Sequence, residues 1–129
     1  MNGRFLLDTN IVIALFAEDT SVQKSLIKAE PVFVPSIVLG ELYYGAHRSL
    51  RKEENIARVD EVAATSAVLA PDTATAKEYG DIKNTLRNKG APIPDNDIWI
   101  AAIAKQYGLT LVTRDEHFKE VKGIAIETW

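Results

Sequence analysis

Four acidic residues, Asp8, Glu41, Asp97 and Asp115, stand in surroundings too apolar to leave their charge unexplained. Asp8 follows Phe5-Leu6-Leu7 and precedes the run from Ile11 to Ala17, so a carboxylate interrupts what otherwise reads as a buried strand passing into a buried helix. Glu41 is the only charged side chain between Glu30 and Arg48, a segment rich in Val, Leu, Ile and Tyr. Asp97 opens Ile98-Trp99-Ile100-Ala101-Ala102-Ile103-Ala104, which is apolar on every helical face and therefore expected to be central. Asp115 is the least isolated. A buried carboxylate without a partner is costly, and no Lys or Arg lies inside these runs. Brought together, the acids would repel one another and raise at least one carboxyl's pKa unless a cation joined them. An oxygen-only cluster selects a hard ion, Mg²⁺ with Mn²⁺ as a substitute. Such an ion activates water, neutralises a phosphate oxygen and stabilises a leaving alkoxide, which is the chemistry of phosphodiester hydrolysis.

Around the acids, Thr9, Asn10, Asn96 and Thr113 are accessory candidates for orienting waters or phosphate oxygens, and Ser36 is placed similarly. Each of these types also serves as a cap or turn residue. Arg114 is a candidate phosphate contact. His47 and His117 read as surface or packing histidines rather than ligands, and Trp99 and Tyr43-Tyr44 as packing or interface residues rather than stacking platforms for bases.

These residues need elements to hold them. Short Val-, Leu- and Ile-rich runs alternate with helical stretches, the pattern of a mainly parallel sheet in a three-layer α/β/α sandwich. Strands are expected at Arg4 to Leu7, Val32 to Val34, Ala67 to Ala70, Thr110 to Thr113 and Ile124 to Glu127. Helices are expected at Asn10 to Ala17, Ser21 to Ala29, Ile37 to Ser49, Glu53 to Thr65, Thr73 to Asn88 and Asp97 to Tyr107. Asp72, and Asp95 or Asn96, are the expected N-caps. Asp8 and Asp115 then fall at the carboxyl ends of their strands, where open α/β sheets bind ligands. Asp97 falls in a first helical turn, which favours a carboxylate.

The 129 residues fit one domain spanning 1–129, long enough to bury a hydrophobic core. The absence of cysteine removes disulfides, thiolate nucleophiles and cysteine-based zinc sites, and leaves oxygen and two histidines as possible ligands. The longest apolar runs are far shorter than the roughly 20 residues that cross a bilayer, and Asp8-Thr9-Asn10 interrupts any secretory signal, so no membrane association is expected and the cytoplasm is the default compartment. A net charge of −3 provides no general attraction to nucleic acid. Arg48, Arg51 and Lys52 could form a local basic patch or simply a solvated helix end.

The chain resembles the PIN-domain family, and within it the VapC-type ribonuclease toxins of toxin–antitoxin pairs. The resemblance covers essentially the whole chain and rests on Leu7-Asp8-Thr9-Asn10, Gly40-Glu41-Leu42, Asn96-Asp97-Ile98-Trp99-Ile100-Ala101-Ala102, and Leu111-Val112-Thr113-Arg114-Asp115 followed by Phe118. It implies that Asp8, Glu41, Asp97 and Asp115 bind metal and that Thr113 is the hydroxyl beside them. Asp97 rather than Asp95 is chosen because the family's acid directly precedes the apolar helix. The resemblance further implies a homodimer, Mg²⁺-dependent cleavage of RNA, and inhibition by a small cognate antitoxin. The alternatives are a PIN-like RNA-processing nuclease that is not a toxin, and a catalytically silent domain that binds RNA or protein. A phosphatase of the haloacid-dehalogenase type would want an aspartate where Asn10 stands.

Overall fold

Five short apolar strands and the helices between them build one sheet. The computed structural model describes residues 4–29 and 31–129. In chain order the elements are β1 (Phe5–Leu7), α1 (Thr9–Phe16), α2 (Thr20–Lys28), β2 (Val32–Pro35), α3 (Ser36–His47), α4 (Lys52–Thr65), β3 (Ala67–Leu69), α5 (Thr73–Asn88), α6 (Asp95–Tyr107), β4 (Thr110–Val112) and β5 (Ala125–Glu127), with a 3₁₀ turn over Glu116–Glu120 between the last two strands. The sheet order is β3-β2-β1-β4-β5 and every pairing is parallel. This is the expected α/β architecture.

Successive strand residues point to opposite faces of a sheet. Leu6 and Leu7 in β1, and Leu111 and Val112 in β4, are nevertheless all buried, so both faces are covered at the centre, as parallel sheets require. Helix α6 supplies much of that cover. Its residues Ile98 and Ile100 to Ala104 are all buried, which explains why the segment carries no polar face. It ends at Gly108, whose φ of 64° lies in the left-handed region that closes helices and favours glycine.

The chain leaves β1 towards β2 and β3 on one side, whereas β4 and β5 lie on the other. The carboxyl ends of β1 and β4 therefore flank the point where the strand order reverses, the place where such sheets open a crevice. The register Leu7↔Val112 sets the residues that follow, Asp8 and Thr113, side by side at that crevice, and the Asp8 amide donates to the Val112 carbonyl at 3.0 Å.

Two expectations need correction. Helix α6 starts at Asp95, with Pro94 as its N-cap in an extended conformation (φ −57°, ψ 146°) and no side-chain cap bond. Asp95 and Asn96 are thus first-turn residues and not caps, because Pro94 already sets the helical entry and the Asp95 carboxylate is engaged by Lys83 at 3.1 Å and the Tyr79 hydroxyl at 3.1 Å. Thr113 lies just beyond β4, where its side chain is freed from the ladder to meet Asp8. Asp72 does cap α5, through a reciprocal pair with Thr75.

Candidate metal centre

Each of the four acids comes from a different element. Asp8 caps α1, its Oδ1 accepting from the Thr9 amide at 2.8 Å. The same carboxylate offers Oδ2 to the Thr113 hydroxyl at 2.7 Å and to the Asn10 amide at 3.3 Å. Capping and facing the crevice are thus one arrangement, and Asp8 is only 4% exposed. Glu41 reaches out from the middle of α3. The Thr9 hydroxyl donates to its Oε1 at 2.5 Å and the Asn96 amide to its Oε2 at 3.4 Å. Asp97 sits in the first turn of α6, where unpaired amides and the helix dipole favour negative charge. Asp115 caps the 3₁₀ turn, its Oδ1 accepting from the His117 amide at 3.2 Å.

All four acids line one open cleft of about 570 Å³, together with Thr9, Asn10 and Asn96. Thr113 supports it from beneath. Its hydroxyl donates to Asp8 and accepts from the Asp115 amide at 2.9 Å, while Asn10 accepts from the Arg114 amide at 3.2 Å. The sequence-predicted acids and accessory residues are therefore gathered in a single place.

The electrostatics are those of crowded negative charge. Burial pushes the Asp8 carboxyl above its ordinary value, the Thr113 hydroxyl and Thr9 amide pull it back, and the charges of Asp97 and Glu41 push it further up. Burial likewise raises Asp97, opposed by His117 and reinforced by Asp115 and Glu41. Among the described residues, no Lys or Arg forms an ion pair with any of the four acids. The donor set fits a hard divalent cation. It is mostly carboxylate oxygen, partly desolvated, and short of positive charge.

Arg114 is not free for a phosphate. Its Nη2 pairs with Asp19 at 3.0 Å and its Nε donates to the Trp129 carbonyl at 3.0 Å. Trp99 stacks on Tyr79 with ring centroids 4.1 Å apart, which makes it a packing residue as expected. Tyr43 bonds to Asp60, but Tyr44 is 67% exposed and packs into no core. Arg48, Arg51 and Lys52 are exposed at the turn between α3 and α4, and Arg51 pairs with Glu54.

His117, expected as a surface or packing residue, packs beside Phe118 and also reaches two of the acids: its Nε2 lies 2.5 Å from Asp97 Oδ2 and its Nδ1 lies 2.9 Å from Asp115 Oδ1. Asp97, Asp115 and His117 each present a donor atom within 4.8 Å of the other two. The only sequence signal was its position two residues after an acid and next to buried Phe118.

Known proteins resemble this chain along nearly its whole length. Residues 5–124 match the PIN domain. Ribonuclease VapC2 of Haemophilus influenzae is 36% identical over 129 residues, covering 98% of each chain. The tRNA(fMet)-specific endonuclease VapC of Salmonella typhimurium is 35% identical over 129 residues with the same coverage. Among solved structures, VapBC2 from Rickettsia felis bound to a DNA fragment from their promoter superposes with a TM-score of 0.90 at 30% identity, covering 98% of each chain.

Proposed function

The chain belongs to the PIN-domain family, on its VapC ribonuclease branch, and from that premise we propose that it is an endoribonuclease whose Asp8, Glu41, Asp97 and Asp115 hold Mg²⁺, or Mn²⁺ in its place, against the scissile phosphodiester of RNA. The observation that carries the reading is the convergence of acids from four elements in one cleft without a Lys or Arg to neutralise them. When bound, a divalent cation acidifies water and offsets the charge of the phosphate and the leaving oxygen.

The chain's own residues prepare that site. Thr113 and Asn10 fix the Asp8 carboxylate from one side, and the Thr9 amide fixes it from the other. Thr9 and Asn96 hold the two oxygens of Glu41. The helix α6 N-terminus tolerates the Asp97 charge. Ligands held this way need little rearrangement on binding, the general advantage of a preorganised site. Without a cation the same carboxylates repel a phosphate, so metal and substrate binding are coupled.

We further propose that the chain is the toxin of a toxin–antitoxin pair, acts as a homodimer in the cytoplasm, and is restrained by a small cognate antitoxin. Its likeness to VapC ribonucleases and to a VapBC pair supports this. Among the described residues no helix is long and apolar enough to cross a membrane. The test is cleavage of single-stranded RNAs by the purified chain. Cutting should require Mg²⁺ or Mn²⁺, stop in EDTA, and fall by roughly a hundredfold or more in Asp8→Asn, the scale of losing one preorganised electrostatic stabiliser. A chain that cuts no RNA with metal present would be a silent binding domain, and an Asp8→Asn variant that cuts normally would remove Asp8 from the site.

A further inference from the structure

We propose that His117 is itself a ligand of the divalent cation, through Nε2, so that the centre is a mixed nitrogen and oxygen site which prefers first-row transition ions such as Mn²⁺ over Mg²⁺. This rests on the reading above, that the acids hold a cation. It departs from the oxygen-only site that the four acids alone describe.

The local fold aims the ring. Asp115 caps the 3₁₀ turn by accepting from the His117 amide, and Phe118, fully buried in the core, pins the next position. The imidazole is thereby held between Asp97 and Asp115, at 2.5 Å from one and 2.9 Å from the other. An octahedral ion with bonds of about 2.1 Å spreads its ligand atoms roughly 3–4.2 Å apart. The donor atoms of Asp97, Asp115 and His117 lie within 4.8 Å of one another, so small shifts suffice to place one ion among them.

The two ring nitrogens face different acids. Asp115 Oδ1 faces both the His117 amide and Nδ1, which leaves Asp115 Oδ2 for the ion. Nε2 and Asp97 Oδ2 share a hydrogen bond of 2.5 Å, so a cation bound here would take the place of the proton between them, while Nδ1 stays 2.9 Å from Asp115 Oδ1. A ligating histidine whose other ring N–H is held by a carboxylate is the usual way a protein orients an imidazole on a metal. Of the residues lining the cleft, His117 alone offers a nitrogen of this kind. Mg²⁺ favours oxygen donors, whereas imidazole suits transition ions better.

The experiment loads the full chain with Mn²⁺ alone and reads electron spin-echo modulation from directly coordinated nitrogen, beside calorimetric titrations with Mn²⁺ and Mg²⁺. The parent should show strong nitrogen modulation, which His117→Gln abolishes while weakening Mn²⁺ binding roughly tenfold or more. The Mn²⁺ to Mg²⁺ affinity ratio should shrink in that variant. His47→Gln, altered at an exposed helix end, should leave the modulation intact. Histidine labelled with the heavy nitrogen isotope should change the pattern in the parent, which holds even if the His117 variant fails to fold. Stoichiometric Mn²⁺ binding without coordinated-nitrogen modulation would overturn the role of His117 and leave the acid site standing. No Mn²⁺ binding at all would overturn both.

Discussion

Asp8 carries two duties at once, and they pull its energetics in opposite directions. The Thr9 amide and Thr113 hydroxyl reward its charge, but burial and the neighbouring acids penalise that charge more, so its carboxyl lies above the ordinary value of 3.8 in the folded chain. A group raised on folding costs nothing below its unfolded value, and its penalty grows as pH rises through the folded value. In EDTA, Asp8→Asn should therefore melt higher than the parent near neutral pH, with the gap closing as pH falls towards the usual carboxylate range. Thermal melts across pH read this directly, and a gap that widens on acidification would contradict it. The same variant should lose cleavage, since stability and function trade against each other at a crowded site. Asp8 and Glu41 were legible in the sequence because each interrupts an apolar run, Asp97 because it opens one, and Asp115 mainly through the family resemblance. His117 was not, because it ends the polar stretch Arg114-Asp115-Glu116-His117 and no periodicity says where a 3₁₀ turn aims its side chains.

Helix α5 shows how an element away from the chemistry supports it. Its first turn is closed by Asp72 and Thr75, and the Thr75 hydroxyl, fully buried, also meets Gln106 of α6. This ties α5 to the helix that carries Asp97. Thr75→Val keeps the shape of the side chain but leaves the Asp72 amide and Gln106 short of a partner. It should cost about 0.5–1.5 kcal/mol, the net worth of a hydrogen bond, because Asp72 is exposed and Gln106 half-buried and water reaches both. Denaturant unfolding measures that loss, while metal affinity at 25 °C should stay near the parent's. A neutral result would mean that water replaces the hydroxyl. Cap residues of this kind are readable in sequence, as Asp72 was. The start of α6 was less so. Pro94 caps without a side-chain bond, and the polar Asp95-Asn96 pair imitates the usual signal while Asp95 is committed to Lys83 and Tyr79.

At the scale of the whole molecule, the site exists because of strand order. Asp8 and Asp115 are distant in sequence, and they meet because β1 and β4 pair in parallel at the centre of the sheet. The alternation of strands and helices announced a parallel sheet, but periodicity carries no information about which strand pairs with which. Glu41 and Asp97 join them because α3 and α6 pack against each other at the same end. A cation shared among four elements should lock that end, and should stabilise the fold by about 2.7 kcal/mol at a hundred times its dissociation constant. The most direct measurement is a calorimetric titration of Mg²⁺ into the parent and into Asp8→Asn, Glu41→Gln, Asp97→Asn and Asp115→Asn. The parent should bind Mg²⁺, and each substitution should weaken binding by roughly tenfold or more. A parent that binds no Mg²⁺, or four variants that bind it as well as the parent, would contradict the shared-cation site.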